Sequence, residues 1–187
     1  MKTIVIESTS PLSWYFIADS ALVNAGKPFF IPEFADEFEA FLAPVVRINR
    51  IGKSIGARFA ERYYTEIAPA VHFRASKLRQ ELLSAGLPTD PSHSFDRAMT
   101  VGTFLPTSEF FCGSPLIMLK NEEVAAECNP VEMKSAIRPL LEAVSRSNTI
   151  KMGDYLVPQL SKPVEIGIGD TLNIALGTEI LLTIHIK

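Results

Sequence analysis

The 187-residue chain is short of the features that announce a specialised chemistry. It has two cysteines, Cys112 and Cys128, too few for a disulfide framework at this length, so a reducing cytoplasm is the expected compartment. No apolar run approaches the length that crosses a bilayer, and MKTIVIEST lacks the apolar core and cleavage site of a secretion signal, so no membrane association is expected. A formal net charge of -3 without a basic block excludes the electrostatic footprint of a nucleic-acid binder. There is no glycine-rich phosphate loop, no serine-hydrolase signature, no paired C-x-x-C and no internal repeat.

What is present suits an ordinary globule. With 47% hydrophobic and 21% charged residues, residues 1–187 can form one domain with its own core. Residues 2–6 are a β-branched run that predicts a buried strand, whereas 14–23 leave loop and short helix open. The stretch 27–53, KPFFIPEFADEFEAFLAPVVRINRIGK, predicts a strand at 29–31 and an acidic turn at 36–39. It continues into a long apolar strand at 41–51, with Pro44 at an edge or bulge because proline lacks a ladder donor.

Helical spacing of Phe59, Tyr63 and Ile67 predicts a helix over 57–67. Ala75, Leu78, Leu82 and Ala85 predict a second over 75–85, stopped by Gly86 and Pro88. Residues 116–126 read as a hairpin with Asn121 and Glu122 at its tip. Residues 139–147 read as a helix opened by Pro139, and 171–186 as a terminal hairpin about Gly177. Strands outnumber helices without alternating with them, which predicts an α+β fold on mixed or antiparallel sheet.

Between residues 18 and 104 the pieces ADSAL, KPFFIPEF, VVRINRIGK, FAERYYTEI, HFRASKLRQ, GLP and SFD...VGTF follow one another with few gaps. A weaker series runs through NEEV and TIKMGD to the C-terminal strands. In this order and spacing the chain resembles the fumarylacetoacetate hydrolase family of 2-oxo-acid hydrolases, isomerases and decarboxylases. The resemblance implies a mixed β-sandwich roll with a few short helices, a homodimer, and a shortened N-terminal or lid segment at 1–26. It also implies a divalent cation such as magnesium, held by an E-x-E pair and an Asp, which stabilises an enolate as a Lewis acid. A Lys, an Arg and a Gln support the developing charge.

Carried over without gaps, the E-x-E positions fall on Phe41 and Ala43 and the third ligand on His72. The Arg falls on Ser76, the Gln on Arg79 and the Lys on His93. None of these residue types matches, VPQLSKP replaces the family's TGTP, and residues 6–20 hold Glu7 but no histidine. No cofactor is therefore expected. The resulting expectation is a non-catalytic member whose old pocket is filled by Phe41 or lined by Phe41, Ala43, Arg74 and Ser76 for a small anionic ligand. The alternative is a divergent enzyme for a small 2-oxo or 1,3-dicarbonyl acid, using His72, His93 and Arg79 with Arg74. A third reading is a structural subunit that pairs with an active paralogue.

Other candidates have plainer explanations. Glu37 and Glu39 form their own E-x-E, but Glu39 lies roughly 7 Å along a strand from the first ligand position, and an exposed acidic turn explains both. Arg74, Lys77 and Arg79 can be an anion-friendly surface or a solvated basic face. His72 and His93 could ligate a transition metal, yet two histidines without a third ligand make a poor site. His185 is expected to face outward from its strand, and the two cysteines to be plain thiols.

Overall fold

Proline divides two long extended runs of this chain into four strands, and that division creates the architecture. The computed structural model describes residues 1–159 and 161–187. The first run breaks at Pro44 into Phe38–Leu42 and Val45–Ile48, and the second at Pro69 into Tyr64–Ala68 and Ala70–Ala75. Phe38–Leu42 pairs with Ala70–Ala75 in a five-stranded sheet, while Val45–Ile48 pairs with Tyr64–Ala68 in a six-stranded one. Pro44 is therefore a corner between sheets, where a single strand with an edge or bulge was expected. Ala43 N–H bonds to Ala70 C=O at 2.9 Å across the corner. Gly102 N–H bonds to Pro69 C=O at 2.8 Å, and a Cβ at Gly102 would lie 2.9 Å from the Pro69 ring, so only glycine fits there.

The six-stranded sheet runs in the order Leu12–Ile17, Thr3–Thr9, Tyr155–Pro158, Val45–Ile48, Tyr64–Ala68, Leu105–Pro106. The five-stranded sheet runs Val164–Ile166, Phe38–Leu42, Ala70–Ala75, Met99–Val101, Leu22–Asn24. A third, four-stranded sheet is wholly antiparallel and holds the hairpins Leu116–Lys120/Glu123–Cys128 and Thr171–Leu176/Glu179–His185. Thr3–Thr9 pairs in parallel with Tyr155–Pro158, and Leu22–Asn24 with Met99–Val101, so the first two sheets are mixed. The α+β expectation holds. Residues 1–26 are knitted into both mixed sheets.

Several elements depart from their local signals. Residues 57–67 are not a helix: Ala57–Arg62 is a 3-10 turn and Tyr64–Ala68 a strand. The helical spacing of Phe59 and Tyr63 reflects that turn, in which the guanidinium carbons of Arg58 and Arg62 lie 4.5 and 4.8 Å from the Phe59 ring centre. Residues 14–23, left open between loop and short helix, hold the end of the strand Leu12–Ile17, the 3-10 turn Asp19–Ala21 and the start of the strand Leu22–Asn24. Of residues 29–31, only Phe29 forms a bridge, to Ile186. The tip residues Asn121 and Glu122 both take positive φ, 50° and 74°, as a tight right-twisted hairpin requires. Asn121 is anchored there by its side chain, which bonds to Asp170 at 2.7 Å.

The last helix is Pro130–Ser147, twice the length of the expected 139–147. Its start is set by Asn129, whose side chain accepts from Val131 N–H at 2.9 Å, and by Pro130 at the first position. Pro139 lies inside the helix on its exposed side, where the carbonyl it deprives of a donor can bond to water. Met133, Ile137, Leu140, Leu141 and Val144 are buried along the opposite stripe. Ser76–Ser84 forms close to the expected 75–85, but none of its residues is fully buried. No helix among the described residues is long and apolar enough to cross a membrane.

The cap yields a direct test. Asn129→Ala is expected to lose about 1 kcal/mol, read as a fall of about 3 °C in Tm, while Asn129→Asp or Ser retains most of it. An unchanged melting curve for the alanine variant would show that the side chain does no capping.

Candidate functional site

The strand pair at the centre of the five-stranded sheet separates two kinds of chemistry. Its register places Glu39 opposite Arg74, Ala40 opposite Phe73 and Phe41 opposite His72. Side chains alternate along a strand, so Phe38, Ala40, Val71 and Phe73 face one way into the main core. There Phe73 stacks on Phe29 with ring centres 3.7 Å apart, and Phe38 meets Phe29 and Phe95 edge-on. Glu39, Phe41, His72 and Arg74 face the other way. Tyr15 and Glu7, from the hairpin of the six-stranded sheet, meet them there, as do Arg79, His93 and Gln159.

The two histidines are fixed as neutral rings. His72 is wholly buried, and its Nε2 lies 2.9 Å from His93 C=O, to which it can only donate. Nδ1 therefore carries a lone pair. It lies 3.5 Å from the Tyr15 hydroxyl and 3.1 Å from the Gln159 side-chain amide, which donates once its NH2 end is turned to the ring. His93 is 2% exposed, and its Nδ1 is 3.4 Å from Ser92 Oγ, whose own proton goes to Thr89 C=O at 2.6 Å. Its proton is thus on Nδ1, and Nε2 is a buried lone pair without a partner among the described residues.

Burial is the main force depressing both pKa values. That of His72 is lowered despite the bonds to His93 and Gln159, and that of His93 falls to about 4 through burial, with His72 and both arginines adding to the effect. Burial likewise pushes the Tyr15 phenol upward, so it stays protonated. Its ring centre lies 3.8 Å from that of His93.

Beside the histidines lies a charge-balanced quartet. Arg74 Nε donates to Glu39 Oε1 at 2.5 Å, and Arg74 Nη1 lies 3.7 Å from Glu7 Oε1. Arg79 Nη2 donates to the same Glu7 oxygen. The guanidinium carbon of Arg74 lies 4.3 Å from the Phe41 ring centre, an arrangement worth roughly 0.5–2 kcal/mol. Arg74 and Glu39 side chains are 14% and 12% exposed, so solvent screens this pair far less than a surface ion pair.

Thus the structure unites His72, His93, Arg74, Arg79 and Phe41. Phe41 is 4% exposed and fills its place. Ala43 belongs instead to the smaller core with Val5, Val45, Ala70 and Val157, where it is fully buried. Ser76 stands apart, its backbone N–H bonded to Glu37 C=O at 3.0 Å, beside a cleft of about 310 Å³ with Asp36 and Glu165. The acidic-turn reading is corrected in part: Glu37 is exposed, but Glu39 is a strand residue shielded beneath Arg74. Arg74 and Arg79 are half-buried ion-pair partners, neither a solvated face nor free anion donors. His185 does face outward, and both thiols are free. Tyr15 and Gln159 escaped the sequence reading. Gln159 lies in the very segment, VPQLSKP, whose departure from the family pattern was visible.

No family model and no curated protein matches the chain. Solved structures do. A Yersinia pestis CO92 protein assigned to the fumarylacetoacetate hydrolase family superposes with a TM-score of 0.86 at 22% identity, covering 100% of this chain and 92% of its own. Fumarylpyruvate hydrolase from Pseudomonas aeruginosa, in complex with Mn2+ and pyruvate, gives 0.83 at 16% identity over 100% and 89%. The 2-hydroxyhepta-2,4-diene-1,7-dioate isomerase from Mycobacterium marinum gives 0.84 at 18% over 99% and 73%. The chain has the fumarylacetoacetate hydrolase fold.

The residues present do not fit the divalent ion that this fold implies. A ring, a methyl group and an imidazole with its Nε2 committed stand at the three positions where the resemblance implies ligands, whereas a hard cation wants several carboxylate or carbonyl oxygens. The nearby carboxylates of Glu7 and Glu39 are engaged by arginines, and among the described residues no group of three or more His, Cys, Asp or Glu could hold a metal.

Buried neutral histidines make stability depend on pH. The unfolded chain binds protons at the ordinary histidine pKa near 6.5, the folded chain only near 4 at His93, so stability falls as pH drops through that window. Urea titrations between pH 7 and 4 should show a loss of stability of which His93→Asn removes roughly 3 kcal/mol, the remainder including the share of His72. Equal slopes for the two proteins would show that His93 does not enter the folded state neutral.

Proposed function

We propose that this chain is a non-catalytic protein on the fumarylacetoacetate hydrolase fold, its metal position replaced by apolar and cationic side chains. The observation that carries this reading is the ladder pair Phe41–His72, two of the three implied ligand positions, both of them sealed from solvent. A retained enolate chemistry would need hard oxygen ligands, an accessible base and an anion clamp. His93, with its pKa near 4, is a weak base at neutral pH, and its lone pair lies out of solvent's reach. Both arginines already hold carboxylates. A homodimer is part of this proposal, checked by light scattering.

Metal analysis of protein purified without chelators is expected to give far less than one equivalent of magnesium or manganese. A panel of acylpyruvates and oxaloacetate with added divalent ions should show no rate above background, and His72→Ala and His93→Ala should change nothing in it. Stoichiometric metal, or turnover lost on either substitution, would favour a divergent enzyme acting on a small 2-oxo or 1,3-dicarbonyl acid.

The ligand class best matched to the site is a small carboxylate, which would compete with Glu7 for the two guanidiniums. Glu7→Gln removes that internal competitor. By calorimetry the variant is expected to bind pyruvate at least ~10-fold tighter than the parent, the equivalent of one charge-assisted hydrogen bond. Equal affinity in the two proteins would rule out Glu7 as the competitor.

A further inference from the structure

We infer that the guanidinium of Arg74 does the electrostatic work of the divalent cation, making the site complete without an added ion. The inference rests on the reading that the metal position has been replaced, and asks what replaced it. Three observations converge on Arg74. It stands two residues beyond His72 on the same face of the same strand, opposite Glu39 in the ladder. Its guanidinium covers the ring of Phe41, 4.3 Å from the ring centre, at the position where the first carboxylate ligand is implied. Its nitrogens reach two carboxylates carried by different sheets, Glu39 of the five-stranded sheet at 2.5 Å and Glu7 of the six-stranded sheet at 3.7 Å.

Tying acidic side chains from separate elements to one positive centre is what a structural cation does. The guanidinium does it with a delocalised charge that is less strongly hydrated than a divalent ion, so it can rest against an aromatic ring where magnesium would keep its water. Charge is conserved locally: Arg74 and Arg79 balance Glu7 and Glu39. Among the described residues Arg74 is the one cation within 4 Å of the Glu39 carboxylate, which is only 12% exposed. Without Arg74 the cluster carries an uncompensated carboxylate beside a second one. That arrangement calls for a cation.

The test is thermal melting of the parent, Arg74→Ala and Arg74→Met, each with low-millimolar guanidinium chloride, MnCl2, or sodium chloride of matched ionic strength. The parent is expected to be indifferent to all three. Arg74→Ala should melt about 8 °C lower, the shift expected for leaving one largely buried charge unpaired in a domain of this size. Guanidinium or Mn2+, but not sodium, should restore at least half of that shift. Arg74→Met keeps the bulk without the charge, and should be equally depressed but too crowded to be rescued.

A methionine variant as stable as the parent would overturn the inference, as would an alanine variant no more responsive to guanidinium or Mn2+ than the parent. So would a parent protein that gains stability from Mn2+. If the alanine variant does not fold, the methionine variant and the Mn2+ response of the parent decide. Turnover by the parent on a 2-oxo acid would defeat the non-catalytic reading and leave these melting results intact, so the two failures can be told apart.

Discussion

The register between Phe38–Leu42 and Ala70–Ala75 is the constraint on which both the core and the site depend. Because side chains alternate, one pairing settles two faces together. On one face it stacks Phe73 on Phe29 and brings Phe38 among the aromatic rings. On the other it sets Glu39 against Arg74 and Phe41 against His72. A slip of one residue would drive either the Glu39 carboxylate or the Arg74 guanidinium into the phenylalanine cluster and turn that strand's rings toward the charged side. Neither face could tolerate the exchange, so each holds the register for the other.

The same ribbon explains how elements distant in sequence converge. Prolines 44 and 69 turn both of its strands from one mixed sheet into the other, with Ala43 bonded to Ala70 across the bend. The six-stranded sheet thereby brings its N-terminal hairpin, with Glu7 and Tyr15, over the face that carries Arg74 and His72. The result is a polar cluster inside the protein that is satisfied mostly by itself. Two arginines neutralise two glutamates, His72 is bonded through both nitrogens, and the aromatic rings of Tyr15 and Phe41 occupy the remaining space. Among the described residues two buried polar atoms of the cluster stand outside this closure, Arg79 Nε and the lone pair of His93 Nε2. A buried acceptor without a donor is destabilising, and the depressed pKa of that ring reflects the still larger cost of burying its charged form.

Much of the fold was legible in the sequence where a local rule coincided with tertiary placement. The hairpins at 116–126 and 171–186 and the short helix near 75–85 formed close to where turn chemistry and spacing put them. Residues 57–67 misled because a 3-10 turn followed by a strand can imitate helical spacing over a few residues. The half-turned signal at Pro139 hid a helix already begun at Asn129, because a proline tolerated on an exposed side looks the same in sequence as one that opens a helix. Pro44 reads as an interruption, but a change of sheet is a property of the partners, which lie sixteen to thirty-seven residues away, and local pattern is silent about them.

For the site, the sequence by itself determined which residue types stand at the implied ligand positions: Phe41, Ala43 and His72, with no spare carboxylate among them. It also determined that Arg74 and Arg79 follow His72 by two and seven residues. Only the tertiary structure decided that Glu39 lies beneath Arg74 and that Glu7, far off in sequence, reaches Arg79. Only it sealed the two histidines from water. The physical reason is that charge pairing and burial depend on distance and solvent, and both are set by which strands lie side by side.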